Sequence, residues 1–277
     1  MSVHSSSLSL QSPTAQAHAA LARAMADVVS EAGGLALSLF RTELRTWTKA
    51  NESPVTEADM AVDAFLKDRL QALAPDYGWL SEESVDTQDR LTSHRLWVVD
   101  PIDGTRAFMA GAPDWVVSAA LVEDGRPIAG VLFAPVTNEL FVAARGHGAT
   151  RNGIAISASP RADFEAAAIS GPAFMVDWFA TAAAVDRRPR VRSLALRLAR
   201  VATGELDVAL ASGNCSDWDI AAADLIVHEA NGALTGYEGT VPVYNAAVPR
   251  HAPLVCAAPH LHLPALALIR GEAGASF

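Results

Sequence analysis

Apolar positions along this chain follow helical spacing at first, then strand spacing, then a regular alternation of the two. From Thr14 to about Phe40 they recur at helical intervals, with Leu21, Met25, Val28 and Val29 on one face. Alanine is frequent here, and Gly33-Gly34 is expected to bend or interrupt the helix. Arg45 to Lys49 reads as a short strand and Asn51 to Pro54 as loop. A second helix is expected from Glu57 to about Leu73. Thr56 is its N-cap, Asp59 falls at N3 in a capping-box arrangement, and Ala61, Phe65, Leu66 and Leu70 form the apolar face. Pro75-Asp76 ends it. Tyr77 to Leu80 reads as a short strand, followed by Ser81-Glu82-Glu83-Ser84 and a polar loop from Val85 to His94.

Leu96 to Val99 is apolar, β-branched and aromatic, the signature of a buried strand. It runs into Asp100. Pro101 cannot donate to a ladder and Asp103-Gly104 favours a tight turn, so the strand is expected to stop at Asp100. Trp115–Val122, Ile128–Phe133 and Leu140–Ala144 follow, separated by the turn sequences Asp124-Gly125-Arg126-Pro127 and Pro135-Val136-Thr137-Asn138. They predict an antiparallel meander.

From about Ala166 strand and helix alternate. Strands are expected at Ala166–Ser170, Pro189–Arg192, Leu206–Ala211 and Ala233–Thr235. Helices are expected at Phe174–Val185, Ser193–Ala202 and Asp217–Ala230. That rhythm predicts strands covered by helices. The chain divides into a flexible tail over 1–13, an N-terminal α+β half over 14–155 and a C-terminal α/β half over 156–277. No linker, repeat or low-complexity segment separates the halves, so they are expected to pack as one unit.

Composition narrows the function. The chain has 277 residues, half of them hydrophobic, enough for one large domain or two modest ones. A net charge of −10 argues against binding nucleic-acid polymers through their phosphates. It does not exclude small phosphorylated ligands, because a bound metal inverts the local sign. Cys215 and Cys256 are the only cysteines, too few for a disulfide framework or thiolate cluster, which fits a reducing cytoplasm. The first residues are Ser-rich and polar, unlike a signal peptide. No apolar run approaches the ~20 residues needed to span a bilayer.

The candidate chemistry lies in acids beside strand ends and helix starts: Asp59, Glu82, Glu83, Asp100, Asp103 and Asp219. Each has an ordinary structural explanation. Asp59 can simply cap its helix, Glu82 and Glu83 can sit in a solvated loop, and Asp219 can answer a helix dipole. Asp100-Pro101-Ile102-Asp103-Gly104 can be only a turn. Together they make a different case, since three of them follow directly on predicted strands. Carboxylates suit Mg²⁺, a hard cation that takes oxygen ligands. No HxxxH or CxxC spacing favours zinc, and His94 and His147 read as surface or loop residues. The backbone N–H groups of Gly104 and Thr105, just past the turn, are placed to meet an anion. Magnitude also favours metals. The hardest monoester hydrolyses need up to ~10²¹-fold acceleration, roughly 28 kcal/mol, whereas one general acid or base contributes about 10²–10⁴.

WVVDPIDGT, the upstream SEES, KANESPVTEAD and the downstream WDIAAAD together resemble the inositol monophosphatase superfamily, in order and spacing from Lys49 to about Gly232. That superfamily includes inositol monophosphatases, 3′(2′),5′-bisphosphate nucleotidases and histidinol-phosphate phosphatases. The resemblance implies a layered αβαβα sandwich and Mg²⁺-dependent phosphomonoester hydrolysis. It implies two or three Mg²⁺ ions, with Mn²⁺ as a substitute and Li⁺ as an inhibitor. A homodimer is the common assembly. Glu82, Asp100 and Asp103 match metal ligands, with the Ile102 carbonyl, and Asp219 matches the ligand from the second half. Asp59 matches an acid acting through metal-bound water, paired with Thr105. Glu83 matches a supporting acid. Gly104 and Thr105 match phosphate-binding backbone, and Lys49 a loop lysine near the site.

The sequence also departs from the family pattern. Ala221-Ala222-Ala223 and Asn231 stand where glycines are common. Ser212-Gly213-Asn214 occupies the stretch where inositol monophosphatases carry a Glu that contacts an inositol hydroxyl. Arg106 follows DGT, where the nucleotidase and histidinol-phosphate branches often carry a cation that could meet a second phosphate. The resemblance therefore leans to a bisphosphate nucleotide as substrate, with inositol 1-phosphate and histidinol phosphate as alternatives. A binder with the same fold and no turnover is the competing class. It would be expected to lack a metal ligand or the Asp59–Thr105 pair, and this chain has both.

Overall fold

A computed structural model describes residues 13–48 and 54–272. In chain order, α1 (Pro13–Leu39) is followed by β1 (Thr46–Thr48), β2 (Pro54–Thr56), α2 (Glu57–Leu73), β3 (Gly78–Ser81), β4 (Arg95–Asp103) and α3 (Thr105–Met109). The meander is β5 (Val116–Glu123), β6 (Arg126–Ala134), β7 (Glu139–Ala144), β8 (Ala149–Arg151) and β9 (Ile154–Ala155). Next come β10 (Ala168–Ser170), α4 (Ala173–Ala182), β11 (Asp186–Arg187), α5 (Leu194–Ala202), β12 (Val208–Ala211), β13 (Cys215–Ser216) and α6 (Asp217–Glu229). The chain closes with β14 (Ala233–Gly236), β15 (Arg250–His251), β16 (Leu254–Ala257) and α7 (Pro259–Ile269).

These elements stack as a layered αβαβα sandwich, and side-chain alternation explains the stacking. Strands β3 to β9 form one seven-stranded sheet in sequence order. On β4 and β5, Trp97, Val99, Val117, Ala119 and Leu121 pack with α1 and α2. Their neighbours Leu96, Val98, Val116, Ala120 and Val122 pack with α5 and α6. A sheet apolar on both faces must be covered on both. The second sheet repeats the device in the order β11-β10-β12-β16-β14. Ala209, Ala211, Leu254 and Cys256 face α5 and α6, whereas Val208, Leu210, Val255 and Ala257 face α4 and α7. Helices α5 and α6 are thus the shared middle layer. Each fully buried aliphatic side chain contributes roughly 1.5–3 kcal/mol relative to exposure.

Several local expectations need correction. Helix α1 runs unbroken through Gly33-Gly34. A Cβ on Gly33 would lie 2.2 Å from Phe133 Cδ1, so this glycine admits a close approach of helix to sheet. The central strand does not stop at Asp100 but continues to Asp103. Its partner β3 ends opposite Val99, and its register with β5 shifts between Asp100 and Asp103. Pro101 therefore sits where the ladder is already irregular, and its missing N–H costs little. Pro54, expected in a loop, begins β2, a position that proline tolerates. The strand expected at Pro189–Arg192 lies earlier, at Asp186–Arg187. Arg188 N still bonds to Ile169 O, and Pro189, lacking an N–H, ends the ladder. The alternating rhythm also hid an antiparallel member: β16 lies between β12 and β14 and is antiparallel to both.

The departures in the middle layer have physical counterparts. Gly130 on β6 would place a Cβ 2.9 Å from Ala222 O, so α6 lies almost against the sheet, and Ala221-Ala222-Ala223 keeps that contact thin. Asn231 adopts a φ of +63°, the left-handed conformation that asparagine tolerates best after glycine. No helix among the described residues is long and apolar enough to cross a membrane.

Candidate active site

The carboxyl end of β4 and the N-terminus of α6 meet between the two sheets. Asp100, Asp103 and Asp219 each present a carboxylate oxygen there, all within 4.8 Å of one another. Asp100 is 1% exposed. Its Oδ1 accepts from Ile102 N at 3.0 Å, whereas its Oδ2 is buried without a hydrogen-bond partner. Asp103 Oδ2 accepts from Ser193 Oγ and Ala195 N, both at 2.6 Å, which fixes it to the start of α5. Asp219 Oδ2 accepts from Ser216 N at 2.6 Å.

Asp59 and Asp219 are oriented by the same local device. Each is the N3 residue of a capping box, Thr56 to Asp59 on α2 and Ser216 to Asp219 on α6. One oxygen is committed to the cap and the other is left to face the site. Asp59 Oδ2 accepts from Thr56 N at 2.7 Å and Thr56 Oγ1 at 2.6 Å. Asp59 Oδ1 accepts from Thr105 Oγ1 at 3.3 Å, and that hydroxyl also lies 3.2 Å from Ile102 O.

Charge and burial oppose each other here. Burial pushes the Asp100 carboxyl well above the ordinary carboxylate range, and the charges of Glu82, Asp103 and Asp219 push it further. Burial likewise raises Asp219, reinforced by Asp103 and opposed by the Ser216 N–H. Asp103 is pushed up to about 6 by burial, against the pull of hydrogen bonds from Ser193, Ala195 and Leu194. Asp59 is raised by burial first, with Thr56 hydrogen bonds opposing. Glu82 adds its charge to all four. Crowded, largely buried carboxylates, one of them with an unpartnered oxygen, fit a multivalent hard cation that would supply the missing partner.

The cluster lies in a cavity of about 790 Å³. Glu82, Asp100, Asp103, Gly104, Thr105, Arg106 and Asp219 all line it, from segments far apart in the chain. Asp59 does not line it and connects to it through Thr105. Glu83 is half-buried and outside the lining, its N–H 3.3 Å from Ser81 Oγ. Ile102 is wholly buried. Gly104 has a φ of +100°, and a Cβ on it would lie 3.0 Å from Asp114 O, so glycine is required where the chain turns into α3. Lys49 lies outside the described residues.

Sequence reasoning missed the groups that hold these acids in place. Asp63 on α2 accepts from Ser81 Oγ and, at 2.9 Å, from Ser84 Oγ, which fastens the Ser81–Ser84 segment. Spacing on α2 could have flagged Asp63, since it stands one turn after Asp59 on a helix otherwise apolar on that side. Ser193 was legible as a helix start, but its contact with Asp103 crosses 90 residues. Asp217 bonds His251 Nε2 at 2.8 Å and Asn245 N at 2.7 Å, fixing the entry to α6. No local signal announces that.

The layered sandwich is that of a family of phosphoric monoester hydrolases. The chain belongs to the inositol monophosphatase family, whose family model matches residues 10–272. A histidinol-phosphatase of Mycobacterium tuberculosis is 37% identical over 210 residues, covering 71% of this chain and 79% of that protein. An inositol-1-monophosphatase of Rhizobium meliloti is 32% identical over 235 residues, covering 80% and 88%. The solved structure of the Thermotoga maritima IMPase superposes with a TM-score of 0.77 at 28% identity, covering 89% of this chain and 95% of that one.

Proposed function

We propose that this phosphatase uses Mg²⁺ to hydrolyse a small phosphorylated metabolite, and that a 3′(2′),5′-bisphosphate nucleotide is its preferred substrate. The observation that carries the metal is the convergence of Asp100, Asp103 and Asp219, together with an Asp100 Oδ2 that has no hydrogen-bond partner. Glu82, Asp100, Asp103 and Asp219, with the Ile102 carbonyl, would hold two or three ions, which Mn²⁺ could replace and Li⁺ antagonise. When bound, such ions neutralise phosphate charge and make water a better nucleophile.

The chain's own groups do the rest. Thr105 Oγ1 donates toward Asp59 Oδ1, so its lone pairs are turned to accept from the attacking water. Asp59, raised by burial, takes the proton at the far end of that relay. Glu83 is read as a supporting acid near the metals. The backbone N–H groups of Gly104 and Thr105 face the phosphate. Support for the nucleotide comes from Arg106, a cation on the cavity wall, and from Ser212-Gly213-Asn214, which lines the wall without a carboxylate to meet an inositol hydroxyl. The buried free thiols Cys215 and Cys256 accord with a cytoplasmic setting, and a homodimer completes the reading.

A second reading is favoured by the 37% identity to a histidinol-phosphatase: histidinol phosphate, or the inositol 1-phosphate of the other relative, as substrate. Phosphate release with Mg²⁺ from adenosine 3′,5′-bisphosphate, inositol 1-phosphate and histidinol phosphate separates them. The nucleotide is expected to lead in kcat/KM by at least ~100-fold, worth about 2.7 kcal/mol of transition-state binding. A lead for either alternative would overturn the nucleotide preference. No release from any of the three would favour the binder class.

A further inference from the structure

Beyond Arg106, four more arginines line the cavity that holds the acid cluster, in a chain of net charge −10. Arg190, Arg192, Arg197 and Arg250 all line it. Among the described residues, only Arg192 of the four is hydrogen-bonded to a carboxylate, its N–H and guanidinium both reaching Asp114. Arg250 donates to the Asn214 carbonyl at 3.2 Å. Arg197 is the unusual member. It is 3% exposed, its Nη1 donates to Val191 O at 2.8 Å, and its Nε is buried with no hydrogen-bond partner. A buried guanidinium without a carboxylate partner is costly unless something satisfies it. Burial, and then the charge of Arg190, pull its pKa down to about 10, so the two cations feel each other across the same wall.

Placement says what that something is. Arg197 lies on α5, two residues after Ala195, whose N–H holds Asp103. One cavity of about 790 Å³ therefore brings the carboxylates, suited to metal and the phosphate under attack, together with several arginines, Arg197 feeling the charge of Asp103 and Asp219 that of Arg250. We infer that Arg190, Arg197 and Arg250 form a second anion subsite, which takes a phosphate-like group of the substrate other than the one being cleaved. Guanidinium forks match phosphate oxygens two at a time, and three of them, Arg190, Arg197 and Arg250, line this one cavity. This rests on the reading of the chain as a phosphatase for a doubly anionic substrate, and it assigns the second anion to residues beyond Arg106. Arg197 acts as a specificity residue, not on the reacting atoms.

Two measurements test it separately. The first needs no turnover: thermal unfolding of the full chain in EDTA, with sodium sulfate compared against sodium chloride at equal ionic strength. Sulfate is expected to raise the wild-type midpoint, as a ligand of the folded state must. Arg197→Ala, Arg197→Lys and Arg190→Ala are expected to shrink that shift, the lysine variant least. An equal sulfate shift in wild type and all three variants, or none in wild type, would overturn the subsite. The second measures kcat/KM with Mg²⁺ for adenosine 3′,5′-bisphosphate and for adenosine 3′-monophosphate. The ratio between them is expected to fall roughly 10- to 100-fold in Arg197→Ala and Arg190→Ala, the loss of one or two charge-assisted hydrogen bonds. An unchanged ratio, with both substrates slowed together, would make Arg197 a structural brace for Val191 and overturn the subsite. A wild type with no preference for the bisphosphate, yet a sulfate shift that the variants lose, would sink the nucleotide reading and leave the subsite standing.

Discussion

Asp59 shows how one residue serves fold and chemistry at once. Its Oδ2 closes a capping box and its Oδ1 receives the Thr105 hydroxyl. Changing it therefore has two separable effects. Asp59→Asn is expected to cost about 1 kcal/mol of stability through the weakened cap and at least ~100-fold in kcat through the lost proton acceptor. Thr105→Val keeps the buried shape and removes only the hydroxyl, so it is expected to lose a similar factor in kcat with a smaller loss of stability. Because the two act as one relay, the double variant should be little slower than Asp59→Asn alone. Additive losses, measured by kcat for the two singles and the double, would show that Thr105 and Asp59 act independently.

Elements place these residues, and the joints between elements carry testable energy. Glu139 on β7 receives both terminal nitrogens of Arg200 from α5, at 2.5 and 2.6 Å, and Arg151 of β8 at 3.2 Å. This ties the large sheet to the middle layer. Burial alone would raise Glu139, but hydrogen bonds from Arg200 and Thr137 and the arginine charges outweigh it and hold the carboxyl below its usual 4.5. The unfolded chain then takes up this proton first as pH falls. The stabilisation is fully present above pH 4.5 and is lost as pH drops through the lower folded value. Glu139→Gln is expected to cost about 2 kcal/mol at pH 7, a penalty that shrinks below pH 4.5. Denaturant unfolding of both proteins across that range checks it, and a penalty constant down to pH 3 would refute the linkage.

At this scale the sequence was informative where local physics dominates. Helix α2, its cap and the meander follow from periodicity and turn chemistry. The end of β4 was misread because proline's effect depends on whether a neighbouring strand needs its N–H, and β3 ends before the question arises. Strand β16 and helix α7 went unread, and with them the antiparallel centre of the second sheet. Strand direction is set by where the chain re-enters the sheet, which no local pattern records.

At the scale of the whole molecule, two sheets share one helical layer, and the acid cluster sits where that layer meets the end of β4. Sequence resemblance could assign acids to the site because acid types and spacing are local facts. It could not reveal that Ser193 and Ala195 would brace Asp103 across about 90 residues, or that Arg197 would be buried beside the same cavity. The arrangement stores electrostatic repulsion that a cation relieves, so metal should stabilise the fold as well as enable turnover. Asp100 is the centre of that argument, because its Oδ2 is the unpartnered oxygen. The most direct measurement is Mg²⁺-dependent phosphate release by wild type and Asp100→Asn, alongside their melting temperatures in EDTA. The wild type should saturate with Mg²⁺ and stop in EDTA. Asp100→Asn should melt no lower than wild type without metal, having lost one crowded charge, and should lose at least ~1000-fold in kcat/KM. Turnover by Asp100→Asn at the wild-type rate, or undiminished wild-type release in EDTA, would contradict the assignment of this cluster as the catalytic metal site.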